Sequence, residues 1–182
     1  MGVSFARNLG MRLSNSKYIS FLDSDDLWTP NKLKEQINFM EKNNHIFTYT
    51  DYTPFLVKNN LRKKIITPNY FNFETFIDNS AIGTSTMMIL RSVVKTTIFP
   101  KTPVLEDFPF KCKILKKIKL AKKLNQNTVF YRITKNSLGS NKLKNLFWLW
   151  KINKEYNKLT FFRNLKSLFF ISMNSIKKHW CK

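Results

Sequence analysis

An abrupt change from apolar to acidic residues at position 23 constrains the fold of this chain more than any other feature. Residues 18–22, Tyr-Ile-Ser-Phe-Leu, are a short β-branched and aromatic run, which predicts a strand buried on both faces. Three carboxylates, Asp23, Asp25 and Asp26, follow this run at once. On an extended chain Asp23 and Asp25 lie on the same side, so their repulsion predicts a cation beside them.

Such a cation has a predictable character. Carboxylate oxygens are the ligands that hard divalent ions prefer, and Mg²⁺ or Mn²⁺ held by one or two of them completes its coordination with phosphate and water. The acid cluster therefore predicts a phosphate-bearing substrate. The alternative is a solvated turn in which an Asp caps the next helix. Thr29, ahead of Pro30, already offers a cap, which favours the ion.

The charge balance also indicates an anionic partner. The 182 residues include 11 acids and 32 Lys and Arg, a formal net charge of +21. Nucleic acid, acidic lipid and phosphorylated substrates would all satisfy that charge. The lysines are spread singly and no nucleic-acid motif occurs, which argues against nucleic acid. Cys112 and Cys181 lack metal or framework spacing, so reduced cysteines and a cytoplasmic location are expected.

A second acidic pair, Glu106 and Asp107, stands just before a predicted helix. One interpretation is N-capping by Asp107, since carboxylates stabilise helix N-termini. The other is a general base, because a helix terminus also fixes a carboxylate in place. Arg132, at the end of a predicted strand, offers a guanidinium for phosphate. The loop at 82–84 has room for a ligand.

The hydrophobic periodicity predicts an alternation of helices and strands within one domain. Helices are predicted over 3–14, 30–43, 71–78, 92–99, 107–117, 141–158 and 161–178, and strands over 18–22, 46–52, 85–91, 119–124 and 128–133.

The composition shifts near residue 140, which divides the chain into 1–139 and 140–182. The second part has ten Lys and Arg, one acid and many interleaved aromatic residues. Basic amphipathic helices with aromatic faces are typical of membrane-surface anchors, which predicts an anionic membrane surface as a partner. In the alternative interpretation the aromatic residues pack on the domain and the lysines are merely solvated.

Several of these segments together resemble family 2 glycosyltransferases of the GT-A fold. The resemblance rests on Val3–Gly10 (Val-Ser-Phe-Ala-Arg-Asn-Leu-Gly), Tyr18–Trp28, Pro30–Leu33 and the Glu106-Asp107 pair. It covers residues 2 to about 135 in the family's order. The implied fold is α/β, a Rossmann-like mixed sheet with flanking helices, followed here by C-terminal amphipathic helices.

The resemblance implies inverting transfer of a sugar from a nucleotide-sugar donor, often UDP-linked, to an acceptor hydroxyl. The acceptor would be a glycan or lipid-linked, as in surface polysaccharide or glycolipid synthesis at the inner face of the cell membrane. Asp23-Ser24-Asp25 matches the DxD motif. Asp25 would bind the divalent cation, Mn²⁺ or Mg²⁺, Asp23 the ribose or the cation, and Asp26 the donor sugar.

The remaining residue roles come from the same resemblance. Asp107 matches the catalytic base, in a pair with Glu106 that we expect to contact substrate. Arg7 and Asn8 correspond to the helix that borders the nucleotide pocket, and Arg132 would neutralise the departing diphosphate.

The chain departs from the family pattern at its start. The family begins with a strand, a helix and a second strand ending in Asp-Asp or Asp-Gly, and these do not precede Val3 in this sequence. The expectation is an N-terminally truncated domain with an unpaired sheet edge beside Tyr18–Leu22 and little transferase activity alone. The alternative function is an inactive remnant that acts as a basic membrane-surface or nucleic-acid-binding module.

Overall fold

A seven-stranded mixed sheet organises the chain in the computed structural model, which describes residues 2–56, 60–134 and 141–180. The strands are β1 (Tyr18–Ser20), β2 (Leu27–Trp28), β3 (Phe47–Leu56), β4 (Asn60–Leu61), β5 (Tyr70–Phe71), β6 (Met88–Leu90) and β7 (Ala121–Arg132). Their order is β1-β6-β3-β7-β2, with β4 paired to β3 and β5 to β7. Only β3 and β7 run parallel among the described pairs; the other pairs are antiparallel.

Helices flank the sheet, and two more follow its last strand. They are α1 (Val3–Leu13), α2 (Lys32–Lys42), α3 (Phe73–Ile77), α4 (Arg91–Val94), α5 (Asp107–Ile118), α6 (Lys142–Glu155) and α7 (Phe161–Trp180). This α/β architecture confirms the predicted mixed sheet with flanking helices.

The first predicted strand is shorter and less buried than its composition indicates. β1 ends at Ser20, and within it only Ile19 is buried. β1 is an edge strand that pairs with β6 alone among the described residues. After it the chain turns, with the Asp26 N–H donating to the Asp23 carbonyl at 3.0 Å. The extended geometry expected for Asp23 and Asp25 is therefore wrong.

Several other boundaries differ for identifiable reasons. The strands predicted over 119–124 and 128–133 are one strand, β7, because pairing with β3 continues past a register shift that skips Asn125 and Gln126. The strand predicted over 85–91 splits into a 3₁₀ turn at Thr84–Thr86 and β6. The helix predicted over 92–99 is only the four-residue α4. Three two-residue strands, β2, β4 and β5, were not predicted, since two residues carry no periodicity.

Aromatic side chains fill the core between the sheet and α5. Phe99 and Phe110 stack with ring centroids 3.8 Å apart, and Phe21 packs edge-on against both. Phe76 stacks on Phe108 in a neighbouring part of the same core. These contacts fix α5, and with it Asp107, against the end of β1.

The two C-terminal helices pack through polar side chains. Asn153 on α6 donates to Asn164 and to Ser167 on α7 at 3.0 and 3.2 Å, and Asn157 donates to Asn153 at 2.8 Å. All four side chains are buried. The Ser167 hydroxyl also donates to the Ile77 carbonyl of α3 at 2.5 Å. These polar contacts, together with Leu168 and Ile171, which pack against the hydrophobic core, dock α7 on the domain.

No helix among the described residues is long and apolar enough to cross a membrane. The predicted division between residues 139 and 140 falls outside the described residues.

Candidate active site

Arg7 joins the two acidic clusters that lie far apart in sequence. Its guanidinium contacts Asp23 Oδ1 at 2.5 Å and Glu106 Oε1 at 2.7 Å. It also lies over the Phe99 ring, and its side chain is only 11% exposed. Burial would lower the pKa of Arg7, but the hydrogen bond to Asp23 and the charges of Asp23, Asp107 and Glu106 outweigh burial and raise it. α1 is thereby tied to the acid turn and to the start of α5.

Asn8, the residue after Arg7, bonds to a different part of the chain from Arg7. Its amide group donates to the Phe99 carbonyl at 2.9 Å and accepts from the Phe99 N–H at 2.8 Å. The nitrogen and the oxygen of the Asn8 side-chain amide are thus both hydrogen-bonded to the backbone between α4 and α5. Asn8 lines a cavity between α1 and α4 instead of the pocket that contains Asp107.

Asp26 anchors the acid turn to its surroundings. Ser85 Oγ donates to Asp26 Oδ2 at 2.6 Å, and the Arg132 N–H donates to Oδ1 at 3.0 Å. Burial raises the pKa of Asp26 and the nearby charges of Asp23 and Asp25 add to this, although the two hydrogen bonds oppose it. Asp26 does not line the pocket that contains Asp107.

Asp23 and Asp25 are the carboxylates left to hold a cation. Asp25 is exposed and its carboxylate has no hydrogen bond or ion pair with the described residues, whereas one oxygen of Asp23 already contacts Arg7. In the described part of the chain no group of three or more His, Cys, Asp or Glu could hold a metal ion. Two carboxylates fit an ion that takes its other ligands from phosphate and water. The residues present therefore fit a divalent cation that arrives with a diphosphate.

Arg132 lies beside the acid turn. Its Nε donates to the Asp25 carbonyl at 2.9 Å, and its guanidinium lies over the Phe55 ring, 4.5 Å from the centroid. The preceding residue, Tyr131, lines the pocket that contains Asp107, together with Tyr52. Neither tyrosine was predicted, because nothing in a strand pattern marks which residue meets a pocket.

Asp107 stands at the start of α5, in a pocket of about 240 Å³ that we call the donor pocket after the role proposed for it below. Arg7, Asp23 and the 80–86 segment, including the predicted ligand loop 82–84, also line this pocket. Glu106 is the N-cap residue, and no side chain caps the helix. The capping interpretation of Asp107 is therefore wrong.

The Asp107 carboxylate is instead held by two side chains. Thr84 Oγ1 donates to Oδ2 at 2.9 Å, and Lys111 Nζ donates to the same oxygen at 2.5 Å. Lys111 is buried and also donates to the Ile82 carbonyl and to Thr84. Burial would raise the pKa of Asp107, but the charge and hydrogen bond of Lys111, the hydrogen bond from Thr84 and the charge of Arg7 together lower it.

Lys111 and Thr84 are the functional neighbours that the sequence did not identify. Lys111 could have been found, since residues four apart share one helix face and an acid and a base at that spacing attract. Thr84 could not, because its contact depends on how the 3₁₀ turn meets α5.

Known proteins resemble this chain in sequence and in fold. The family model described as Glycosyl transferase family 2 matches residues 1–97. Two Escherichia coli proteins, WfgD and WfaP, are 31% and 30% identical over 98% of this chain and 70% of their own lengths. Each is named UDP-Glc:alpha-D-GlcNAc-diphosphoundecaprenol beta-1,3-glucosyltransferase.

A solved glycosyltransferase-like structure has a similar fold. The S. aureus TarS fragment crystallised with UDP-GlcNAc superposes with a TM-score of 0.62 at 12% identity, over 90% of this chain. This chain spans 50% of that fragment. The chain therefore belongs to glycosyl transferase family 2, and its mixed sheet has the GT-A-type fold that the sequence predicted.

Proposed function

We propose that the chain transfers a sugar, with inversion, from a UDP-linked donor to an acceptor hydroxyl. The observation that carries this proposal is the tie through Arg7, which brings the Asp23 turn and the start of α5 to one pocket. WfgD and WfaP are named for a UDP-glucose donor, and TarS was crystallised with UDP-GlcNAc. These names support a UDP-sugar for the donor pocket.

On the donor side, Asp23 and Asp25 would hold the cation. When bound, Mn²⁺ or Mg²⁺ supplies positive charge to the diphosphate. Arg7 would orient Asp23, and Asp26 would fix the turn through Ser85 and the Arg132 backbone. Asn8 and Asp26 use their polar side-chain atoms on other parts of the chain. Of the other residues expected to bind substrate, we propose direct contact only for Glu106 and Arg132.

On the acceptor side, Asp107 would act as the base. The described residues donate to its Oδ2, which leaves Oδ1 to accept a proton. The acceptor oxygen forms the new bond to the anomeric carbon, its proton passes to Asp107, and the bond to the diphosphate breaks with its electrons leaving on the nucleotide. The lowered pKa means that Asp107 is ionised at neutral pH, which is the form that accepts a proton, although it also makes the carboxylate a weaker base.

The surface of α7 supports a location at a membrane surface. Buried Asn164 and Ser167 and partly buried Leu168 and Ile171 face the domain. The outer side carries the exposed Lys166 and a set of exposed apolar side chains: Phe161, Phe162, Leu165, Phe169, Met173 and Ile176. Water does not favour so much exposed apolar surface on one helix. An anionic bilayer would cover the apolar side and attract a chain of charge +21. A second copy of the chain would be repelled by the same charge.

Calorimetric titration of UDP into the full chain tests the donor site. We expect binding in the presence of Mn²⁺ that is abolished by EDTA, and no comparable binding of CMP. UDP binding that is absent, or that persists unchanged in EDTA, would contradict the proposal. Salt-dependent binding of DNA without metal would instead favour the nucleic-acid alternative.

A further inference from the structure

Two tyrosines in the donor pocket have no role in the function proposed above. Tyr52 lies on β3 and Tyr131 on β7, and among the described residues these two are the aromatic side chains that line the pocket. Tyr131 is 43% exposed, whereas Tyr52 is less exposed and burial raises its pKa to about 12. Tyr131 is therefore the ring that offers more surface to a ligand in the pocket.

The surroundings of the Tyr131 ring hold it in place. Tyr131 is paired with Pro54 in the parallel register of β7 and β3. Tyr52 packs edge-on against its ring, with the two ring centroids 5.9 Å apart. The next residue, Arg132, is fixed by the hydrogen bond from its N–H to Asp26. A ring held in this way loses little conformational freedom when a ligand packs on it, which favours binding.

The charges that act on the Tyr131 hydroxyl locate it within the pocket. Burial raises the pKa of Tyr131, and the carboxylates of Asp26, Asp25, Asp23 and Asp107 raise it further. Coulombic interactions weaken with distance, so the hydroxyl lies near both the acid turn and the proposed base. This hydroxyl makes no hydrogen bond with the described residues. It is therefore left to bond to a ligand.

The proposed reaction determines which part of the donor meets Tyr131. The diphosphate lies at the Asp23–Asp25 turn, and the anomeric carbon lies within reach of the acceptor oxygen that Asp107 deprotonates. The donor sugar must therefore lie between the turn and Asp107, which is the region where Tyr131 lies. The C–H groups on the face of a pyranose carry a partial positive charge, and the face of an aromatic ring is negative. An aromatic ring at this position thus suits a sugar ring better than a diphosphate.

We propose that Tyr131 is the platform on which the transferred sugar packs. Its ring lies against a C–H face of the pyranose, its hydroxyl donates to a sugar oxygen, and Tyr52 supports the ring through the edge-on contact. Only the sugar makes this contact, so Tyr131 contributes to the affinity for a UDP-sugar and not to the affinity for UDP. This inference rests on the proposed function, because that function places the donor in this pocket.

Calorimetric titration of UDP-glucose and of UDP, both with Mn²⁺, into the full chain and its variants tests the contact. We expect Tyr131→Ala to weaken UDP-glucose binding at least tenfold and to change UDP binding less than twofold. Tyr131→Phe keeps the ring, so it should weaken UDP-glucose binding less than threefold. The control is Tyr70→Ala, which removes a tyrosine that is 51% exposed and does not line the donor pocket. It should change the binding of neither ligand.

The comparison of the two ligands separates a contact with the sugar from a loss of folding, which would weaken both. Tyr131→Leu, with the same expectation, replaces Tyr131→Ala if circular dichroism shows that the latter does not fold. Three results would overturn the inference alone: UDP binding without UDP-glucose binding in the unsubstituted chain, no selective loss of UDP-glucose in Tyr131→Ala, or an equal loss in Tyr131→Phe. If the unsubstituted chain binds neither ligand, the proposed function fails and the inference fails with it.

Discussion

Lys111 Nζ lies 2.5 Å from Asp107 Oδ2, one turn further along α5, and the lysine is buried while the Asp107 side chain is 29% exposed. We expect Lys111→Met to raise the pKa of Asp107, because the ammonium that favours its charged form is removed. Carboxylate carbon NMR across pH measures the shift, and Lys113→Met, at an exposed position of the same helix, is the control. An unchanged Asp107 titration would show that Lys111 does not set its ionisation.

The same pair predicts an acid limb in stability. The pKa of Asp107 is lower in the folded chain than in the unfolded chain, so the pair stabilises the fold above about pH 4, and this contribution is lost as pH falls through the folded pKa. Lys111→Met should lose that limb and also destabilise the fold by about 1–3 kcal/mol, because the Ile82 carbonyl and Asp107 lose a donor. Urea denaturation between pH 3 and 7 measures both the pH dependence of stability and the change in the free energy of unfolding.

Arg7 is expected to tolerate no conservative replacement. A lysine keeps the charge but cannot direct two nitrogens to Asp23 and Glu106 at once. Arg7→Lys should therefore weaken UDP binding at least fivefold and destabilise the fold by about 1–2 kcal/mol. Arg12→Lys, on the same helix but exposed, should change neither. If Arg7→Lys kept full UDP binding and full stability, neither would depend on the double contact of Arg7 with Asp23 and Glu106.

Lys32 predicts a second rise in stability with pH, at alkaline pH. Its side chain is buried against Gln36 and the Trp28 ring, and burial lowers the pKa of Lys32 to about 7. Between that value and the unfolded pKa near 10.4, the unfolded chain holds one more proton, so stability rises by about 1.4 kcal/mol per pH unit. Lys32→Met should flatten this rise, and Lys34→Met, which removes an equal but exposed charge, should leave the slope as it was. Parallel slopes in all three chains would contradict a lowered pKa of Lys32 in the folded chain.

The outer side of α7 should bind anionic vesicles. Phe162 is 82% and Phe169 62% exposed, and burying an aromatic ring of this size contributes about 1.5–3 kcal/mol. Phe162→Ser together with Phe169→Ser should reduce partitioning into phosphatidylglycerol vesicles at least tenfold in a flotation assay. Ile66→Ser, which removes an equally exposed side chain away from α7, should not. Equal flotation of both variants would place the membrane contact elsewhere.

Local sequence patterns predicted the elements that carry the site. Periodicity over residues 30–43 predicted α2, and the position of Glu106-Asp107 before an apolar run predicted the start of α5. The expected inner face of α2, Leu33, Ile37 and Met40, is wrong in part. The helix buries Lys32, Gln36 and Met40, and Leu33 is 44% exposed. Both signals depend on residues within a few positions of one another, which is the range over which periodicity is informative.

Contacts between distant segments were not predictable in this way. The continuity of β7 depends on parallel pairing with β3, and the position of Thr84 beside Asp107 depends on a 3₁₀ turn that has no sequence signature. The amphipathic pattern of α7 predicted two faces but not which one would face the domain. The inner side carries both polar and aliphatic residues: Asn164 and Ser167 find partners on α6 and α3, and Leu168 and Ile171 pack against the core.

The most direct test of the account is the environment of Mn²⁺ in the presence of UDP, measured by electron paramagnetic resonance. We predict a bound Mn²⁺ signal that requires UDP, is strongly reduced in Asp25→Asn, and is unchanged in Glu155→Gln, an exposed acid on α6. A bound signal that forms without UDP, or one that Asp25→Asn leaves intact, would contradict the assignment of the Asp23–Asp25 turn as the site that receives the donor diphosphate.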